Sequence, residues 1–148
     1  MKAARFALVI ILASLLLSAC ALPREEQQDE SAVAARHQTE AALGIESVAI
    51  RQTSGGYMLD YRYRVLDPVL AADMLNRNIK PYLKHEATGK VLAVPITAKV
   101  GPLRQSTLRP EVGRVYFMMF GNAGKLVRPG DQVTLIVGTH QIEHLTVE

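Results

Sequence analysis

The sequence predicts an all-β protein, an antiparallel β-sandwich of about seven strands over residues 45–148. The first observation is a strict alternation of side-chain type in residues 57–65. Apolar and aromatic residues share one face and charged residues the other: Tyr57, Leu59, Tyr61, Tyr63 and Val65 against Asp60, Arg62 and Arg64. A period of two is typical of a half-buried strand. The second observation is that turn residues separate short apolar segments along about 104 residues, enough for one core.

The remaining strands are predicted from the same two signals. Val48 and Ile50 alternate before the turn at residues 53–56, which favours a hairpin with residues 57–65. The second strand should end at Pro68, because proline cannot donate a ladder hydrogen bond, and about two helical turns should follow. Further strands are expected over 81–86, 90–94, 114–120, 126–128 and 132–138, and around Leu145 and Val147.

The turn residues before the segment 132–138 carry a weak family resemblance. Arg128, Pro129, Gly130 and Asp131 favour a type II turn. This turn, running into an alternating segment, resembles strand starts in many immunoglobulin-like sandwiches. The resemblance implies that architecture alone, because the chain has no Trp and one Cys, and so lacks the Trp and paired cysteines of antibody-type domains.

The first residues have the layout of a secretory signal peptide. Lys2 and Arg5 precede an apolar segment of twelve residues, 6–17. This segment is shorter than the roughly twenty residues that a membrane-spanning helix needs. We therefore expect residues 1–19 to be removed from the mature chain.

Residues 17–20 follow directly, and Leu17, Ser18, Ala19 and Cys20 resemble the lipobox of bacterial lipoproteins. The resemblance implies cleavage before Cys20, a diacylglyceryl group on its thiol and an acylated amino terminus. Two or more acyl chains give stable anchoring, and lipid on the single cysteine would leave no free thiol. Ala21 resembles the outer-membrane class, since Asp at this position favours inner-membrane retention in enteric-type lipoproteins. The expected location is the cell envelope, at the outer membrane and facing the periplasm.

A polar segment connects this anchor to the domain. Residues 21–30 are charged and lack apolar periodicity, which predicts a flexible tether. A short helix is expected over 32–43, capped by Ser31 and ended by Gly44. Residues 20–44 therefore connect the lipid to the sandwich domain at 45–148.

Charge argues against a nucleic-acid partner. Residues 45–148 carry 13 basic and 9 acidic side chains, a net charge of +4 without clustering or interleaved aromatic residues. The expected partner is the membrane, through lipid, together with another component of the envelope.

Four residues are candidate metal ligands. His140 and His144, with Met118 and Met119, are ligand types that copper accepts. On an extended strand, however, imidazoles four residues apart are separated by roughly 13 Å. A metal site is therefore not predicted, and a copper-type metal-handling protein is kept as an alternative.

Catalytic signatures are weaker still. Residues 121–125 superficially resemble a phosphate loop, but Met119 stands in place of its first glycine and Leu126 in place of its hydroxyl residue. None of the serines beyond the signal peptide lies in a G-x-S-x-G context. No catalytic residue and no cofactor is predicted, and a hydrolase of unknown type is the second alternative.

The segment 95–113 is the remaining candidate for function. It contains Pro95, Pro102 and Pro110 and is expected to be a long connection, a type that is often functional in compact domains. Lys99, Arg104 and Arg109 are the predicted partner-binding residues. The opposing interpretation is a crossover whose apolar residues cover the end of the sandwich. The preferred hypothesis is a non-enzymatic binding or structural module.

Overall fold

The computed structural model describes residues 24–148, with side chains from residue 30 onward. Helix α1 spans Arg24–Ala42. It begins earlier than expected, so residues 24–30 belong to it rather than to a tether and Ser31 lies within it. The physical reason is that Arg, Glu and Gln are good helix formers. Residues 1–23, with the signal segment and Cys20, lie outside the described part of the chain.

The expected stop at Gly44 is confirmed. Gly44 has φ of +59°, and its N–H donates to the Ala41 carbonyl. Its own carbonyl accepts from Leu66 and Asp67 at 2.8 and 2.9 Å. A β-carbon here would lie 2.7 Å from that of Leu70. Only glycine fits both this conformation and this close approach.

The first sheet has three antiparallel strands in the order β1-β2-β7. These are β1 at Ile45–Thr53, β2 at Met58–Val65 and β7 at Val115–Gly121. The predicted alternation in β2 is confirmed, since Leu59, Tyr61, Tyr63 and Val65 are all 0% exposed. Tyr57 is the exception, because it precedes the strand and is 58% exposed.

Short elements follow β2. The expected two-turn helix is the single turn α2, Ala72–Leu75. The second sheet has the order β4-β3-β8-β9. Its strands are β3 at Tyr82–His85, β4 at Val91–Ala93, β8 at Gln132–Val137 and β9 at His140–Thr146. Between β4 and β7, a two-stranded ribbon is formed by β5 at Ile96–Thr97 and β6 at Gly101–Pro102.

One strand prediction is wrong. Residues 126–128 are not a strand, because a 3-10 turn at Ala123–Lys125 is followed by the turn that leads into β8. That second turn has the predicted geometry: Asp131 N–H donates to the Arg128 carbonyl at 3.1 Å, and Gly130 has φ of +93°.

The two sheets form an antiparallel sandwich, with three and four strands. One apolar cluster fills the space between them, with fully buried side chains from both sheets: Leu59, Tyr61, Tyr63, Met118 and Phe120 from the first, and Leu83, Val133, Leu135 and Ile142 from the second. The chain end closes one side of the sandwich, since Glu148 exchanges backbone hydrogen bonds with Ile50 and Gln52 of β1.

Most of the strand connections fall into two groups. Residues 54–57, 86–90 and 122–131 form what we call the turn end. Residues 66–81 and 94–114 form what we call the basic end, which carries six basic and three acidic residues.

Candidate functional site

The two long connections of the basic end form one continuous surface. Thr107 N–H donates to the Leu75 carbonyl at 3.3 Å, and Gly113 N–H donates to the Val65 carbonyl at 2.7 Å. The first bond holds residues 94–114 against residues 66–81, and the second holds the end of the longer connection against the end of β2. Side chains from both segments therefore lie on a shared face.

The expected long connection is only partly irregular. After the β5-β6 ribbon, Leu103 and Gln105 run beside β7 as an additional edge segment. Met119 N–H donates to the Leu103 carbonyl at 2.9 Å, and Gln105 N–H donates to the Phe117 carbonyl at 3.1 Å. The segment thus covers the outer edge of β7, which would otherwise present unpaired backbone groups.

Arg104, one of the three predicted partner-binding residues, is occupied within the fold. Its guanidinium donates to the carbonyls of Ile79 and Asn76 at 2.7 Å each, and to that of Met74 at 3.3 Å. Burial lowers the pKa of Arg104, and the neighbouring Tyr63 acts in the opposite direction. Arginine starts so far above neutrality that it stays charged. Arg104 therefore fixes the segment after α2.

Lys99 and Arg109, the other two predicted residues, are exposed at separate turns. Lys99 lies in the tip between β5 and β6, where the Thr97 hydroxyl accepts from Val100 N–H at 3.4 Å. Arg109 follows Leu108, and its backbone N–H donates to the Thr107 hydroxyl at 3.1 Å. Neither side chain forms an ion pair within residues 30–148, so both charges face solvent.

Large apolar side chains are also exposed at this end. Seven of the thirteen that are exposed in the described chain lie in residues 66–70 and 96–112. They are Leu66, Val69, Leu70, Ile96, Val100, Leu108 and Val112. Leu108 is 98% exposed. Such a concentration of exposed apolar area is typical of an interaction surface.

A groove lies beside Arg104 and was not predicted from the sequence. It has a volume of about 270 Å³ and is lined by Arg77, Ile79, Lys80, Pro81, Tyr82, Ala93, Val94, Ile96, Pro102 and Arg104. A second cavity of about 220 Å³ shares Arg77, Pro102 and Arg104 with it and adds Val100, Gly101 and Ser106. The only signal in the sequence was the pair of cations just before Pro81.

The four candidate metal ligands belong to different sheets. Met118 and Met119 lie on β7, and Met118 is 0% exposed in the core. His140 and His144 lie on β9 of the other sheet. Across residues 24–148, no group of three or more His, Cys, Asp or Glu side chains is placed to hold a metal ion.

His144 instead belongs to a hydrogen-bonded network at the turn end. It has φ of +57° where the β8-β9 register shifts. The Glu86 carboxylate accepts from the His144 backbone N–H and the Thr134 hydroxyl, both at 2.9 Å, and lies 3.1 Å from the imidazole Nδ1. Burial raises the pKa of Glu86, but these hydrogen bonds and the His144 ring together hold it below its usual range.

None of the helices within residues 24–148 has the length and apolar character to cross a membrane. Comparisons with known protein families, curated proteins and solved structures found no match to this chain. The chemistry of the basic end is therefore the basis for a functional assignment.

Proposed function

We propose that this chain is a non-enzymatic lipoprotein of the bacterial cell envelope, anchored through Cys20 at the outer membrane and facing the periplasm. Its sandwich binds another envelope component through the basic end. The lipobox-like residues 17–20 support the anchor. The composition of the basic end supports the binding role.

The observation that carries the binding role is that unpaired cations lie among exposed apolar side chains. Ion pairs at 2.7–2.8 Å hold Arg51, Arg62 and Arg64 on the first sheet and Arg114 at the basic end, whereas the exposed cations of the turn end and β3 form none within residues 30–148. At the basic end, four cations form neither an ion pair nor a side-chain hydrogen bond within residues 30–148: Arg77, Lys80, Lys99 and Arg109. Unpaired cations among exposed apolar side chains suit an acidic, partly apolar partner.

The anchor is tested by Cys20→Ser. Loss of the thiol removes the only atom in the chain that can form the thioether, so the exported protein should become soluble. Ser18→Ala is the matched control, because it keeps a small side chain before the cysteine and should leave lipidation intact. Membrane association that persists in Cys20→Ser contradicts the lipoprotein assignment.

The binding surface is tested by chemical cross-linking in intact cells, followed by purification of the chain and identification of its neighbours. Lys99→Glu with Arg109→Glu should reduce recovery of the partner. Arg104 is left unchanged, because its guanidinium supports three carbonyls of the fold. Lys84→Glu with Arg128→Glu is the control, since both side chains are exposed away from the basic end. Equal recovery from the two double variants contradicts this surface.

A further inference from the structure

We infer that the groove beside Arg104 binds a single-chain anionic amphiphile, a molecule with one apolar tail and one negatively charged head. The inference deepens the proposed function, and it rests on that proposal in placing ligand recognition at the basic end. It names the chemistry of one ligand and the residues that hold each part of it.

The walls of the groove suit an apolar tail. Seven of its ten lining residues have no charged or amide group, and they come from both sides. Ile79, Pro81 and Tyr82 enter from the start of β3, and Ile96 with Pro102 from the β5-β6 ribbon. Ile96 is 76% exposed, so the tail would cover apolar surface that now faces water.

The charges at the groove are all of one sign. Arg77, Lys80 and Arg104 line it, and no carboxylate does. Arg77 and Lys80 form no ion pair or side-chain hydrogen bond within residues 30–148, so neither cation must break a bond to receive an anion. A negatively charged head is therefore the complementary group.

The position of the head follows from the second cavity. Arg77 and Arg104 line both cavities, so these two residues form part of a shared wall. Arg104 uses three of its N–H donors on carbonyls of residues 74–79, and a guanidinium has five. The Ser106 side chain lines the second cavity. The head contacts Arg77 and Ser106 there, while the tail extends between Tyr82 and Ile96.

The size of the groove limits the ligand. About 270 Å³ is at the lower end of the range of small-molecule pockets. One chain fits this space better than the paired tails of a bilayer phospholipid. Electrostatic attraction alone would bind any anion, and apolar burial alone would bind any long-chain alcohol. A preference for molecules that have both a negative charge and an apolar tail therefore distinguishes this site.

The experiment titrates decanoate, below its micelle concentration, into the chain purified with Cys20→Ser, and follows binding by calorimetry and by NMR shifts of Tyr82 and Ile96. Decanol lacks the charge, and acetate lacks the tail. Decanoate should bind with one-to-one stoichiometry and at least about tenfold more tightly than either, a difference of ~1.4 kcal/mol.

Variants locate the binding. Arg77→Glu with Lys80→Glu should weaken the binding of decanoate at least about tenfold. Ile96→Ser should also weaken this binding, and the shift of the Tyr82 signal should then be smaller. Lys84→Glu with Lys90→Glu is the matched control and should leave the affinity unchanged. Equal binding of decanoate and decanol, an equal loss in both double variants, or no saturable binding each overturns the inference. If decanoate does not bind but recovery of the cross-linked partner still depends on Lys99 and Arg109, only the inferred ligand chemistry is overturned. The proposed function then stands.

Discussion

At the turn end, the side chain of Asn122 is buried and bonded to the backbone, whereas at the basic end large apolar side chains face solvent. Asn122 is 0% exposed and makes three hydrogen bonds to residues 56 and 127. Leu108 at the other end is 98% exposed. The turn end thus contains a buried polar network that stabilises the fold, and the basic end carries exposed apolar side chains that are available for contact. Substitution of Asn122 at the turn end should therefore reduce stability, whereas substitution of exposed side chains at the basic end should reduce binding.

The largest effect on stability is expected for Asn122→Ala. This change removes the side-chain partner of the Gly56 carbonyl and of the Val127 N–H, and it leaves the Val127 carbonyl with only the Gln52 amide, which should cost about 2 kcal/mol in the free energy of unfolding. Urea denaturation measures it. Asn78→Ala, at an exposed position of the basic end, should cost less than about 0.5 kcal/mol. Similar losses in both variants would remove the distinction between the ends.

The next effect tests Arg104, the cation of the basic end that is bonded to backbone carbonyls. Arg104→Leu removes donors from the Ile79, Asn76 and Met74 carbonyls, and should cost about 2 kcal/mol. Arg104→Lys should recover only part of this, because an ammonium cannot reproduce the planar fork. Thermal unfolding of both variants provides the measurement. A wild-type melting temperature in Arg104→Leu would show that the guanidinium does not support the fold.

A smaller effect is expected for Glu86→Gln, and it should depend on pH. The folded state lowers the pKa of Glu86, so its stabilising contribution is complete above the unfolded value of about 4.3 and is lost as pH falls through the lower folded value. The variant should be less stable than wild type by ~1 kcal/mol at neutral pH.

The two proteins should converge as pH falls below the lowered folded pKa of Glu86, which urea denaturation across a pH series can measure. A difference between them that stays constant with pH would contradict the assigned role of the carboxylate. Thr134→Val is a useful companion variant, because it removes one neutral donor to Glu86. The change in the free energy of unfolding with pH should become smaller in this variant but should not disappear.

The smallest effect on stability is expected for Leu108→Ser. The side chain is almost fully exposed, so the free energy of unfolding should change by less than about 0.5 kcal/mol. Recovery of the cross-linked partner should nevertheless fall. Val48→Ser, at a position 44% exposed on β1, is the control and should change neither quantity. A marked loss of stability in Leu108→Ser would show that this residue packs in the folded state.

Much of the fold could be predicted from local patterns. The alternation of Leu59, Tyr61 and Tyr63 determined which face of β2 is buried, because a strand places every second side chain on the same side. Gly44 and Gly130 were correctly placed at a helix end and a turn, since both positions require positive φ. The segment 126–128 was misassigned because a short apolar segment without alternation fits a strand and a turn equally well.

The candidate site was less predictable because its properties arise from contacts distant in sequence. From composition, Arg104 was indistinguishable from Lys99 and Arg109. Its role depends on carbonyls 25–30 residues away. Arg77 and Lys80 line a groove only because the β5-β6 ribbon forms its opposite wall.

The sequence by itself determined the β-sandwich class and most of its strands and turns, because these depend on the periodicity and backbone preferences of neighbouring residues. It also carries the lipobox-like segment on which the proposed anchor depends. Only the tertiary structure decided which cations are bonded and which are free, and where apolar side chains border them. Both properties depend on contacts between segments that are far apart in the chain, and the pattern of neighbouring residues does not specify such contacts.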